Sequence, residues 1–357
     1  MQERAIAIDA FGSESSPEVE IAAAILAARK GHRIMLVGDE PRLRRGLDRH
    51  SNISRLALTV HHAPSIITMD DSPARAIRTK PRASMPVAFE LVKKGVAQAV
   101  VSAGNSGAML ACGLFKYGRM KGVDRPAIAS SIPGPKSSCV LLDMGANVEC
   151  RPLNLVQFAV MGATFAGVSN DRQRPVVGVL ANGSEVNKGT ELTRLTDRLL
   201  RNHPSPSFRY CGYIEGADLF SGEVDVAVTD GFTGNVALKS IEATARALTS
   251  LVREEIVGRR LGKLGALLMA PGLRALKRRL DPDSYGGAPL LGVEGIAIIC
   301  HGGSSAKAIL SAVDLAAHYI DRGLTPGLRE AIDSHRDLFA AAKSGGDESV
   351  RKSNEAS

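Results

Sequence analysis

Short β-prone runs alternate with longer stretches of helical period along most of the chain, and that alternation confines it to an α/β sheet covered on both faces. The expected strands are 5–9, 33–37, 58–61, 99–102, 127–131, 140–143, 176–180, 224–228 and 296–300. After the first, Ser16 is expected to cap a helix with Pro17 in its first turn, Ile21, Ile25 and Ala28 on its apolar stripe and Gly31 at its end. A basic helix is expected from near Pro41, a short helical turn at 74–78 and a stronger helix at 86–94. Ile241, Ala245, Leu248, Val252 and Ile256 fall on one helical face, which reads as a packing surface.

At 357 residues, 44% of them hydrophobic, the chain has ample material for a core, which argues against wholesale disorder. No uninterrupted apolar run is long enough to span a bilayer, and the first strand starts too early to leave room for a secretory signal. The five dispersed cysteines read as reduced core or near-core residues of a cytosolic protein. Lys and Arg outnumber Asp and Glu by 45 to 37, so anionic partners are favoured without one being selected. Residues 343–357 are polar and charged, and a disordered tail is expected there.

The chemistry concentrates in turns that follow strands. Ser102-Ala103-Gly104-Asn105-Ser106-Gly107, Asp230-Gly231-Phe232-Thr233-Gly234-Asn235 and His301-Gly302-Gly303-Ser304-Ser305 each precede an expected helix, so backbone N–H groups and Ser or Asn side chains can meet an anion. Asp143-Met144-Gly145-Ala146-Asn147 and the 182–189 segment, with Glu185 and Lys188, add carboxylates, amides and a cation. An ordinary tight turn uses the same residue types, so each motif alone is ambiguous. Neither a Walker loop nor a dinucleotide-binding glycine pattern is present, and no HExxH array or cysteine cluster suggests a metal site, so no cofactor is expected.

Taken together, Ile8-Asp9-Ala10-Phe11-Gly12, the 101–108 segment, Leu142-Asp143-Met144-Gly145-Ala146-Asn147, the 230–236 segment, Gly292-Val293-Glu294-Gly295 and His301-Gly302 resemble the bacterial acyl-acyl carrier protein:phosphate acyltransferases of phospholipid synthesis. The likeness runs from the first strand to about residue 320. Two segments depart from the family pattern. Phe11-Gly12-Ser13-Glu14 stands where Met-Gly-Gly-Asp is usual, and Ala181-Asn182-Gly183-Ser184-Glu185 where Asn-Ile-Gly-Glu-Glu is usual.

The resemblance implies an α/β/α sandwich with two subdomains around a cleft, like isocitrate and isopropylmalate dehydrogenases. Residues 1–342 would form one catalytic unit, with a protruding amphipathic hairpin within 240–285. It implies transfer of an acyl group from acyl carrier protein to inorganic phosphate. The homodimeric enzyme would be cytoplasmic and peripherally attached to the inner face of the membrane, with a membrane glycerol-3-phosphate acyltransferase as a possible downstream partner.

Because phosphate carries the attacking oxygen, neither a serine nucleophile nor a nicotinamide is needed. Asn105, Lys188 and His301 are the catalytic candidates, the last either to stabilise the tetrahedral intermediate or to protonate the leaving thiolate. Lys80, Ser102, Ser106, Asp143, Asn147, Glu185, Asp230, Asn235 and Lys239 are the binding candidates. Phosphate is expected among the 102–107 turn, Asn147 and Lys188.

From Leu251 to Leu280 there are eight basic and two acidic residues, a net of +6. Leu261, Leu264, Leu268, Leu273 and Leu276 are expected to touch an anionic membrane or a partner subunit. Two other readings compete: a phosphotransacetylase-like enzyme using acyl-coenzyme A, and a non-enzymatic binder of anionic membranes or nucleic acid. Only 4% of residues are aromatic and no nucleic-acid module is recognisable, so nucleic acid is not an expected partner.

Overall fold

The computed structural model describes residues 5–185, 187–257, 269–272 and 287–344. Leu261, Leu264, Leu268, Leu273 and Leu276, most of the expected hairpin beyond 257, and 345–357 of the expected tail lie outside the described residues. Lys343 and Ser344, placed in that tail by composition, are helical.

The strands are β1 (Ala5–Asp9), β2 (Arg33–Gly38), β3 (Leu58–His62), β4 (Ala99–Ser102), β5 (Ala127–Pro133), β6 (Ser138–Leu142), β7 (Val176–Leu180), β8 (Arg209–Ile214), β9 (Val226–Val228), β10 (Ala288–Leu291) and β11 (Ile296–Ile299). They form one sheet in the order β3-β2-β1-β4-β11-β10-β5-β6-β9-β7-β8. The first five in that order are mutually parallel, as are the last four. Strands β10 and β5, antiparallel to their neighbours, join the two blocks, so the blocks run in opposite directions.

Side chains alternate across the sheet because the strand period is two. Ile6, Ile8, Val140 and Val226 enter one core; Ala7, Val100, Leu141 and Ala227 enter the other. The first core is covered by α1 (Glu18–Arg29), α2 (Glu40–Leu47), α6 (Pro152–Asn170), α7 (Glu191–Asn202), α9 (Ala306–Asp321) and α10 (Leu324–Ser334). The second is covered by α3 (Pro73–Thr79), α4 (Ser84–Lys93), α5 (Ser106–Cys112) and the first turns of α8 (Gly231–Val257). Each core draws on both strand blocks, which makes three α/β/α layers continuous across the whole sheet.

Local details differ from the sequence reading in instructive ways. Helix α1 begins at Glu18 after Pro17, with no side-chain cap, so Ser16 does not play the expected role. Helix α6 is long and apolar enough to cross a membrane by length and composition, yet it is mostly buried and lies in the middle of the first core. On α8, Ile241 packs on the second core, but Leu248 and Val252 are exposed, so the apolar face extends past the layer it was expected to cover. None of the five cysteines is in a disulfide, and burial pushes the thiols of Cys112, Cys139 and Cys150 up to about 12, away from reactivity.

Candidate active site

Strand β4 lies between β1 and β11, all three parallel, and the turns leaving their C-terminal ends meet. Ligands in open α/β sheets favour such strand ends. Contact between the turns is made by backbone. A Cβ built on Gly12 would stand 2.6 Å from the Gly104 nitrogen. The Glu14 N–H donates to the Gly302 carbonyl at 3.0 Å, and a Cβ on Gly302 would stand 2.6 Å from Met69 Cε. Glycine is therefore required at position 12 for close approach, whereas at 302 the neighbour is the movable end of a side chain.

Beneath these turns lies a buried polar network. Ser102, 1% exposed, donates through Oγ to Asp9 Oδ2 at 2.7 Å and accepts from the Gly104 N–H at 3.0 Å. The Phe11 N–H points at Asp9 Oδ1 at 3.4 Å. Glu20 reaches back from α1 to accept from the Ser13 N–H at 3.0 Å. Burial raises the carboxyl pKa of both acids; for Asp9, hydrogen bonds from Ser84 and Ser102 oppose the rise, and Glu20 is pushed up to about 7.

Asn105 is the N-cap of α5, its Oδ1 accepting from the Ala108 N–H at 3.0 Å. Its Nδ2 donates to the carbonyls of Met69 at 3.0 Å and Asp71 at 3.3 Å. The amide therefore clamps the 69–71 segment over the turn. Lys80 donates from Nζ to Asp71 Oδ2 at 2.6 Å, and this bond, before any other cause, holds the Asp71 carboxyl below its ordinary pKa. Ser106 is exposed at the start of α5. His301 is exposed, with Nδ1 accepting from the Gly303 N–H at 3.2 Å, so in the neutral ring Nε2 carries the proton.

A second constellation follows β6 and β9 in the other block. Asp143, fully buried, accepts from the N–H groups of Ile128 at 3.0 Å, Ala146 at 3.2 Å and Asn147 at 2.6 Å, and from Asn147 Nδ2 at 2.9 Å. Asn147 Nδ2 also donates to the Pro126 carbonyl at 2.7 Å. Gly231 N–H donates to the Asn147 carbonyl at 2.7 Å, and a Cβ on Gly234 would collide with the Asp143 carbonyl oxygen. Asp230 caps α8 through the Thr233 N–H and hydroxyl at 2.8 and 2.9 Å. Asn235 is exposed beside Gly145. Most of this group's polar capacity is spent on joining three chain segments.

The remaining candidates lie apart from these bonds. Lys188 is half-buried, with Nζ 4.0 Å from the exposed Glu185 carboxylate, and Lys239 pairs with Glu242 on α8 at 3.0 Å. The structure thus gathers Lys80, Ser102, Asn105, Ser106 and His301 around the β1, β4 and β11 turns. It gathers Asp143, Asn147, Asp230 and Asn235 around the β6 and β9 turns, and Lys188 follows β7 in the second block. These blocks run oppositely, so Asn147 and Lys188 leave the sheet in the other strand direction from Ser102.

Sequence reasoning missed two carboxylates, Asp9 as a bonding partner and Glu20 altogether. Helical spacing contained the signal for Glu20. Ala23, Ala24 and Ala27 lie three, four and seven positions after it and are buried with it. Among the described residues no group of three or more His, Cys, Asp or Glu side chains could hold a metal ion.

The family model described as fatty acid synthesis protein matches residues 4–326. The phosphate acyltransferase of Geobacter sulfurreducens is 46% identical over 330 residues, covering 92% of this chain and 94% of that protein. The phosphate acyltransferase of an Anaeromyxobacter species is 48% identical over 321 residues, covering 88% and 89%. Among solved structures, a phosphotransacetylase from Streptococcus pyogenes superposes with a TM-score of 0.57 at 17% identity, covering 89% of this chain and 94% of that one. A branched-chain phosphotransacylase from Enterococcus faecalis gives 0.54 at 12% identity, covering 89% and 99%. These likenesses correct the expected fold. It is an α/β fold related to that of the phosphotransacetylases, not the isocitrate/isopropylmalate dehydrogenase-like fold, because short motifs carry no information about sheet order.

Proposed function

The chain belongs to the bacterial phosphate acyltransferase family, and from that premise we propose that its donor is acyl-[acyl carrier protein] and its acceptor inorganic phosphate, received at the β1, β4 and β11 turns. The observation that carries the proposal is the whole-chain match to phosphate acyltransferases, 46% identical over 92% of this chain. The close approach of the Gly12 and Gly104 backbones, with no Cβ atoms between them, and the bond from Glu14 N–H to the Gly302 carbonyl support the location.

In the reaction a phosphate oxygen attacks the thioester carbonyl carbon, the C–S bond breaks, and the electron pair leaves on sulfur, which takes up a proton. The products are acyl phosphate and the free carrier thiol. Backbone N–H groups of the turns would stabilise the oxyanion. His301 is the proposed proton source for the thiolate in its imidazolium form, which gives up the bond that neutral Nδ1 accepts from Gly303; as the neutral ring it can only hydrogen-bond the departing sulfur through Nε2–H. Asn105 positions the 69–71 segment.

The test compares donors. Purified protein with inorganic phosphate is expected to form acyl phosphate rapidly from acyl carrier protein and slowly from the matched coenzyme A thioester. Faster turnover of the coenzyme A thioester would move the chain to phosphotransacetylase-like chemistry.

We also propose a cytoplasmic homodimer that touches the inner face of the membrane and passes its product to a membrane glycerol-3-phosphate acyltransferase. Exposed Leu248, Leu251 and Val252 on α8 support a subunit contact, and the +6 charge of 251–280 with its leucines supports a lipid contact. Replacing Leu268 and Leu273 together by Asp is expected to lower binding to anionic vesicles by roughly tenfold or more, from the lost insertion area and added repulsion. Vesicle sedimentation checks this; equal binding by a folded double variant would leave 251–280 with no part in lipid contact.

A further inference from the structure

We infer that Glu20 is a proton-linked positioning residue of the phosphate site: as a neutral acid it holds the 11–14 turn against its neighbours, and as a carboxylate it opposes the incoming anion. This inference rests on the proposed placement of phosphate at the β1, β4 and β11 turns.

Glu20 is fully buried on α1, and its Oε1 accepts from the Ser13 N–H at 3.0 Å. Its Oε2 and Ser13 Oγ beside it are buried and make no well-formed hydrogen bond, although the hydroxyl is near enough to favour the charged carboxyl in part. An ionised carboxylate is a costly occupant of such a place, because the group is fully buried and only Ser13, through its N–H and hydroxyl, is placed to offset the lost solvation. A neutral carboxyl costs less there. The residue it holds is part of the site floor: Gly12, next to Ser13, packs on Gly104, and Glu14 bonds to Gly302. Displacement of Ser13 is therefore transmitted to all three turns.

Of the charged groups around α1, Asp9 acts in the same direction. Asp9 on β1, when ionised, disfavours a second negative charge on Glu20, the smallest of the causes acting on it. Glu14 lies in the turn itself, Arg42 of α2 is occupied over the Phe11 ring at 4.6 Å, and Asp314 of α9 is bound to Lys30 and His32 at the far end of α1. Burial, the largest cause, pushes the Glu20 pKa up to about 7, so its charge changes within the working range of a cytoplasmic enzyme. Phosphate binding and Glu20 protonation are then reciprocally linked.

The test uses Glu20→Gln in the full chain. Glutamine keeps the volume and an acceptor for Ser13 but cannot ionise. Phosphate titrates in the same range, so the informative quantity is the ratio of the two proteins at each pH, in which the substrate's own ionisation cancels. The KM for phosphate is expected to agree within twofold at pH 6 and to be at least threefold higher in the wild type at pH 8.5, with kcat changed less.

Thermal unfolding supplies a readout independent of turnover. The folded pKa lies above the ordinary value of 4.5, so the stability contributed by the neutral acid is complete below about 4.5 and is lost as pH rises through about 7. The variant should therefore melt higher than the wild type above pH 7, and inorganic phosphate should raise its melting temperature more at pH 8.5. If glutamine prevents folding, Glu20→Met replaces it with another uncharged side chain of similar length. A ratio of KM values that stays constant from pH 6 to 8.5, with parallel melting curves, overturns the inference. A wild type that makes no acyl phosphate overturns the functional reading instead, and the melting data still decide whether Glu20 titrates.

Discussion

Replacing Gly12 with alanine is expected to lower kcat/KM for acyl phosphate formation by about 100-fold or more, because misplacement of catalytic groups by about 1 Å costs that much. The added Cβ would lie 2.6 Å from the Gly104 nitrogen, 3.0 Å from the Ala103 carbonyl carbon and 3.1 Å from Gly104 Cα. All three are backbone atoms, so no side chain can turn away to make room. The β1 and β4 turns must part, and with them the bond from Gly104 N–H to Ser102 and the approach of Glu14 to Gly302. Gly216→Ala supplies the control, since a Cβ there meets nothing within 4 Å. Steady-state kinetics beside circular dichroism separate misplacement from unfolding. A folded Gly12→Ala enzyme within threefold of the wild type would show that turn contact is not needed for turnover.

That turn also marks how far the sequence could be read. Its glycine and its strand were visible as a motif, and β1, β2, β3, β4, β7 and β11 stand close to where hydrophobic runs placed them. Strands β8 and β10 were not foreseen. Strand β8 contains Gly212 at φ +97° and a register shift against β7, so it lacks plain alternation, and β10 contains Pro289, a residue that argues against a strand in the middle of a sheet. Yet β10 joins the two blocks, so missing it conceals that they run oppositely. Polar turn residues could be recognised, but not what their atoms were committed to. Asn105 and Asn147 both look like free amides in sequence, and both are bonded to carbonyls from chain segments far from them in the sequence or across a turn. Whether an amide faces ligand or backbone is a tertiary fact that residue type cannot carry.

Asp143→Ala is the second large effect, and it is expected on stability. The carboxylate is fully buried and accepts four hydrogen bonds, from the N–H groups of Ile128, Ala146 and Asn147 and from Asn147 Nδ2. Burial raises its pKa and those bonds counter the rise, so the site is arranged around an acceptor. Alanine removes the acceptor and leaves its donors behind; each unsatisfied buried group costs about 1–3 kcal/mol, and with partial relaxation a total of about 3–5 kcal/mol is expected. The loss falls where β5, β6 and the start of α8 meet, because Asn147 also receives the Gly231 N–H. Asp143→Asn does not restore it. An amide offers one oxygen and turns an NH2 group toward N–H donors, so it should recover less than half of the deficit. Urea unfolding with matched m-values measures both variants. If Asp143→Ala unfolds within about 0.5 kcal/mol of the wild type, the range of an ordinary surface substitution, the network is not what holds this junction. A stable but inactive Asp143→Ala would instead move the carboxylate from scaffold to chemistry, in direct contact with substrate.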